Sequence, residues 1–255
     1  IATLGEEQRF SFYLRPDFTR RDPGFDELLL VAPSDMRLDF EGLYGGNEQD
    51  LAGEEPVAHS IAGAVVVATA EDSLRVSFPV VDPDSDLEVV RLDFSTALFS
   101  TGAVLQASLQ NSASGGWQRV DPGEAVGTVP GNTTTLVGVV EQGALLQDVV
   151  VEPTIFSPNG DGINDGVSFR FKVVKVGDDS PVEVLIHDLG GRLIRRLVEQ
   201  RGVSTGTYRL SWDGRDERGA IVPPGVYMAR LRVDTDTEGA AIKDEEILRT
   251  IALAY

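Results

Sequence analysis

The sequence predicts an all-β chain built of two β-sandwich domains, the second immunoglobulin-like. Three observations predict it. Apolar stretches are short, rich in β-branched residues and bounded by Gly, Pro, Asp or Asn, the pattern of strands and turns. Several alternate with period two: in Leu74-Arg75-Val76-Ser77-Phe78 and in Val90-Arg91-Leu92-Asp93-Phe94 the apolar side chains share one face. No segment sustains a 3.6-residue period; residues 25–30 and 194–200 allow a turn or two of helix at most. Many short strands between turn signals favour sandwiches over a parallel α/β sheet.

In chain order, strands are expected at residues 9–14, 27–31, 36–40, 64–70, 73–81, 89–94 and 104–109. The run from Ala62 to Ala68 is apolar on both faces. That reads as a central strand, with burial against another subunit as the alternative. Residues 111–131 are rich in Ser, Gly and Pro and read as a long hairpin loop with Trp117 inside it. Strands at 133–140 and 145–150 follow. The domain boundary is expected near Gln147, giving domains of residues 1–147 and 148–255, with Pro153 and Pro158 just beyond.

In the second domain, residues 167–174 and 182–187 alternate, and Asp188-Leu189-Gly190-Gly191 supplies a turn suited to positive φ. Residues 192–198 return, residues 208–212 alternate again, and 213–219 form a polar turn. Pro223-Pro224-Gly225 launches the strand at 226–233, and 247–253 closes the chain. About seven short strands in this length is the size of an immunoglobulin-like sandwich.

Charge and composition exclude several roles. Asp and Glu number 41 against 22 Lys and Arg, a net charge of −19. That surface repels phosphate backbones and anionic head groups, so neither nucleic acid nor a lipid surface is an expected partner. It favours divalent cations and solubility. Lys172, Lys175 and Lys243 are the only lysines, which reflects either a GC-rich genome or salt adaptation. With no cysteine there are no disulfides, thiolate metal sites or thiol nucleophiles. No apolar run approaches the ~18 residues of a membrane-spanning helix. The chain opens on Ile1, expected either after signal-peptide removal or within a longer protein.

Four motifs carry a family resemblance. They are Phe156-Ser157-Pro158-Asn159-Gly160-Asp161-Gly162-Ile163-Asn164-Asp165, Asp188-Leu189-Gly190-Gly191-Arg192, Trp212-Asp213-Gly214-Arg215-Asp216-Glu217-Arg218-Gly219, and Val222-Pro223-Pro224-Gly225-Val226-Tyr227. In that order they resemble bacterial immunoglobulin-like modules found near the C-termini of secreted and surface proteins. The relatives in mind are the C-terminal domain of the flagellar hook-capping protein (FlgD-like) and the sorting domains of gliding bacteria. The resemblance covers residues of about 149–255 and implies a sandwich fold and an extracellular or cell-surface location, more than the periplasm. The first domain carries no recognised family features.

The sharpest candidate site is the loop of residues 159–165. Asn159, Asp161, the Ile163 carbonyl and Asp165 offer oxygens at alternate positions, as calcium loops do, and Gly160 and Gly162 permit the curvature. The shell needs a remote acid, for which Asp178, Asp213 and Asp216 are candidates, or water. The plainer reading is a turn. Asp82, Asp84 and Asp86 form a possible second cation loop, with a solvated turn as its plainer reading. Trp117 is a possible binding aromatic, for sugar or protein, unless it lies under its own loop. Asn132-Thr133-Thr134 is a glycosylation sequon of little weight in a bacterial chain.

His59 and His187 are the only histidines, and no nucleophile–base pattern or phosphate loop accompanies them. The expectation is a non-catalytic surface protein engaging protein partners or itself. The alternatives are a carbohydrate- or protein-binding module and an export or anchoring region of a larger secreted enzyme.

Overall fold

A computed structural model describes residues 2–53, 61–70, 72–129, 133–139, 145–176, 180–233 and 245–254. The chain is all-β and forms two compact units: Ile1–Ala2 with Glu6–Val139, and Thr3–Gly5 with Val140–Tyr255. No helix among the described residues is long and apolar enough to cross a membrane.

Up to residue 139 the strands are β1 (Ala2–Thr3), β2 (Glu7–Leu14), β3 (Phe25–Val31), β4 (Asp39–Gly46), β5 (Val65–Ala70), β6 (Ser73–Val81), β7 (Val89–Ala97), β8 (Gly102–Val104), β9 (Gln106–Gln110), β10 (Gln118–Arg119) and β11 (Thr135–Val139). They form a five-stranded sheet, β10-β9-β3-β6-β5, and two three-stranded sheets, β2-β7-β4 and β1-β11-β8. One helical turn, α1 (Glu48–Leu51), follows β4, and Asn47 caps it by accepting the Asp50 N–H at 3.0 Å.

Along β7 the alternation puts Leu92 and Phe94 on one face and Arg91 and Asp93 on the other, yet both faces are buried. Leu51 of α1 clusters with Val89 and Val126, with Tyr13 and Tyr44 packed against them. Within this region Arg91 and Asp93 pair bidentately, at 2.6 and 3.1 Å. Arg9 reaches the same carboxylate at 2.8 Å and the Ser11 hydroxyl donates to it at 2.7 Å. The Arg91 guanidinium also donates to the carbonyls of Leu51, at 2.8 Å, and Gly53. A buried ion pair holds only with its hydrogen bonds closed, and here the closure ties β2, β7 and the α1 segment together.

The run from Ala62 to Ala68 is not a central strand. β5 lies at the edge of its sheet and, among the described residues, pairs only with β6, with a bulge between Val66 and Ala68. Val65 and Val67 are 60% and 51% exposed. An edge leaves outward side chains and one row of backbone groups uncovered, so an apolar run alone does not place a strand inside a sheet. Of residues 25–30 and 194–200, where a turn of helix was possible, all but Gln200 are β-strand.

Past residue 145 the strands are β12 (Leu146–Glu152), β13 (Ile155–Phe156), β14 (Val167–Val173), β15 (Val182–Asp188), β16 (Leu193–Glu199), β17 (Gly206–Trp212), β18 (Gly225–Val233) and β19 (Glu245–Leu253). They make a two-sheet immunoglobulin-like sandwich, β12-β14-β17 and β13-β19-β18-β15-β16. β12 runs through Gln147, where the domain boundary was expected, and pairs with β14 on both sides of a register shift between Gln147 and Val150. Val167, Phe169, Phe171 and Val173 alternate inward. Trp212 stands edge-on to Phe156 and Tyr227, centroids 5.4 and 5.3 Å away. Tyr208 stacks on Phe171 at 5.5 Å and donates its hydroxyl proton to the Ser204 carbonyl at 2.8 Å. Tyrosines that tie a strand to the backbone a few residues upstream recur in sandwiches. The buried Glu183 of β15 is held by Arg196 of β16 and, at 3.0 Å, by Arg232 of β18.

Candidate functional site

The loop of residues 159–165 lies between β13 and β14 and is exposed throughout except at the half-buried Asp165. Gly160 and Gly162 take φ of 81° and 83°, and Asn164 takes 55°. These left-handed residues curl the chain around its own carboxylates. The two oxygens of Asp165 accept the N–H groups of Gly160 and Gly162, each at 2.7 Å. Asp161 accepts the Ile163 N–H at 2.8 Å and the Asn159 amide at 2.9 Å, while Asn159 accepts the Asp161 N–H at 3.0 Å. The Asn164 carbonyl closes the base by accepting from Ser157 at 2.8 Å.

The four expected ligand residues are therefore together, and their donor set is all oxygen, the hard chemistry calcium takes. Each carboxylate oxygen already holds one N–H donor and keeps a lone pair. No group of three or more acidic, His or Cys side chains converges among the described residues, so water would have to complete a shell. Of the remote candidates, Asp213 accepts from Arg215 and Asp216 from Arg218 and Ala220, within their own turn. Asp178 lies outside the described residues, as do His59 and Asn132.

The Ile163 N–H, and after it the Asn159 amide, hold the Asp161 carboxyl below its ordinary value. A depressed pKa stabilises the folded loop fully above the ordinary carboxylate value, and that support is lost as pH falls through the depressed one. Asp161→Asn should therefore flatten the acid limb of the second unit's stability, read as melting temperature against pH.

Gly214 sits where a Cβ would meet Leu253 at 2.9 Å, Pro158 at 3.0 Å and Phe156 at 3.2 Å, with φ of 75°. The turn at 213–219 thus closes on the base of the 159–165 loop. Gly214→Ala combines backbone strain with a core clash and should cost about 3 kcal/mol, read by urea unfolding of the second unit.

Asp82, Asp84 and Asp86 form a capped turn. Asp82 accepts from the Asp84 N–H at 3.1 Å and the Ser85 hydroxyl at 2.7 Å, and Asp86 is left-handed with φ of 51°. Trp117 is 41% exposed, with the Arg75 guanidinium 5.3 Å over its ring and Arg75 in turn paired to Glu27 at 2.7 Å. His187 lies in β15, opposite Met228.

A feature the sequence did not signal is a cleft in the first unit, of about 590 Å³, lined on one side by residues 11–17 and on another by residues 133–136. The buried Arg91–Asp93 pair was equally hidden, because alternation shows which face a residue takes but not what covers that face.

Fold and site together define an all-β chain of two sandwich units, the second immunoglobulin-like, with an oxygen-lined loop at its entry. No protein-family model matches the chain, and no curated protein does. Among solved structures it is similar to dimeric latent PorU from Porphyromonas gingivalis, with 15% identity and a TM-score of 0.34 over 96% of this chain and 18% of that one. It is also similar to BcpA, the major pilin subunit of Bacillus cereus, with 8% identity and a TM-score of 0.32 over 98% of this chain and 61% of that one. The C-terminal domain of the Streptococcus pyogenes antigen I/II-family protein AspA gives 8% identity and 0.33 over 100% of this chain and 94% of that one. The chain spans less than two thirds of the length of PorU and of BcpA. Likenesses at this level do not bear on what the chain does.

Proposed function

We propose that the chain is a non-catalytic structural or interaction protein of the bacterial cell surface, or a segment of a larger surface assembly. The observation that carries this is the β5 edge. It exposes Val65 and Val67, and its outer side has no strand partner among the described residues. An uncovered apolar strand edge is suited to pairing with another protein chain. The buried charges support the same reading: Arg91, Asp93 and Glu183 spend their hydrogen bonds on bracing strands. The surface location, and the kinship with hook-capping-type modules, rest on the four motifs and their order. Labelling intact cells with a membrane-impermeant biotin reagent should tag the chain. The purified chain should release no product from chromogenic glycosides, esters or casein. Turnover abolished by a single carboxylate variant would contradict the proposal.

The proposal includes calcium as a structural ion held by Asn159, Asp161, the Ile163 carbonyl and Asp165. Its support is the all-oxygen donor set. Millimolar calcium should raise the melting temperature of the second unit relative to chelator, and Asp165→Asn should abolish that rise. An unchanged wild-type melt would remove calcium from the account.

A second reading, carbohydrate binding, is favoured by the exposed ring of Trp117. Trp212 is 1% exposed, so quenching of the tryptophan emission by a glycan would report on Trp117. No response across a glycan panel would count against it.

A further inference from the structure

The cleft in the first unit has the size of ligand clefts, which run from about 300 to 1,000 Å³. Every residue from 11 to 17 lines it, and so does every residue from 133 to 136. Side chains on a strand alternate between faces, so a cleft lying over one face would meet every second residue. Consecutive lining means that this one follows the edge of β2. β2 ends its sheet, and β7 is its only strand neighbour among the described residues. Residues 11–14 thus present about 13 Å of strand whose outer backbone groups have no strand partner.

The remaining walls define what fits. Phe12, Phe94, Leu105 and Leu136 give the cleft apolar lining. Asp17, Asp121 and Glu124 are exposed beside them and form no salt bridge among the described residues. Arg15, the one base among the described lining residues, is already neutralised: it donates to Glu48 at 2.5 Å, Glu88 at 2.7 Å and the Ala125 carbonyl at 2.7 Å. Glu48 also accepts the Gly127 N–H at 2.7 Å, so the same cluster pins the segment carrying Asp121 and Glu124.

We propose that this cleft binds an extended peptide of alternating apolar residues that carries Lys or Arg, added as a strand to the β2 edge. The backbone edge calls for a strand, the apolar lining for side chains at alternate positions, and the three unneutralised carboxylates for a cation. A second copy of this chain, at −19, is the wrong charge for that mouth. The inference goes beyond the general role proposed above and rests on it only in needing a protein partner.

The test uses the full chain and three fluorescein-labelled peptides: Val-Lys-Val-Thr-Val-Lys-Val, the same with Glu for Lys, and the lysine form with Pro for Thr. The lysine peptide should bind saturably, the glutamate form about tenfold more weakly or worse, and the proline form should lose binding. The double variant Asp121→Lys/Glu124→Lys should erase or invert the charge preference. Bound lysine peptide should slow amide exchange within residues 11–14. Absence of saturable binding, equal affinity for the two charge forms, or binding without slowed exchange in β2 would overturn the proposal. Protection of the same amides by raising the chain's own concentration would assign the cleft to a second copy and also overturn it. None of these readouts involves turnover or the β5 edge, so this inference can fail while the proposed function stands.

Discussion

Asp93→Ala should destabilise the first unit by about 3–5 kcal/mol, a large share of what holds a domain together. Asp93 is 0% exposed and Arg91 2%. Removing the carboxylate takes from the buried Arg91 guanidinium its bidentate partner, and strips Arg9 and Ser11 of their acceptor. The loss should far exceed that from Arg37→Ala, whose pair with Asp39 is exposed on both sides and contributes about 1 kcal/mol or less. Replacing both partners, Arg91→Met with Asp93→Leu, should recover most of the loss, because the penalty lies in burying a guanidinium that has lost its bidentate carboxylate. Trp117 is in the first unit and Trp212 in the second, so urea unfolding of a Trp212→Phe background reports the first unit by fluorescence. An Asp93→Ala protein with an unchanged midpoint would show that the network does not brace the sheet.

Trp212→Ala should cost the second unit about 3–5 kcal/mol. The indole is 1% exposed at the centre of the sandwich, edge-on to both Phe156 and Tyr227, and its N–H donates to the Arg215 carbonyl at 2.8 Å. Alanine leaves a cavity that rigid sheets cannot close, and orphans that carbonyl. Trp212→Phe keeps most of the apolar volume and should lose much less. Circular dichroism melts of the three proteins check the order. A Trp212→Ala protein as stable as Trp212→Phe would contradict this picture of the core.

Much of the second sandwich was legible because its strands alternate cleanly and its turns carry Gly, Asp and Pro where left-handed or tight geometry is needed. Val167, Phe169, Phe171 and Val173 point inward as period two requires. The Asp188–Arg192 turn closes with Asp188 accepting the Arg192 N–H at 3.0 Å, and Gly191 takes φ of 80°. The first sandwich was less legible. β4 continues through Gly42, Gly45 and Gly46, which break the strand signature, so only its start was expected. Local pattern also could not tell an edge strand from a central one, since sheet order depends on distant pairings; β5 is the case in point. The 159–165 loop was found because its ligand residues are contiguous. The cleft beside β2 was not, because its walls lie more than a hundred residues apart in the chain.

The central claim is that the chain works through protein contacts, with the β5 edge as an association surface. Light scattering on a sizing column tests it most directly, at rising concentration in low and high salt, for the wild type and for Val65→Lys/Val67→Lys. The charge of −19 opposes pairing of like chains, so association of the wild type should strengthen as salt screens it. The double variant should remain monomeric throughout, because charged side chains on an edge strand block edge-to-edge pairing. A wild type that stays monomeric at every concentration and salt, or a variant that associates equally well, would contradict the account.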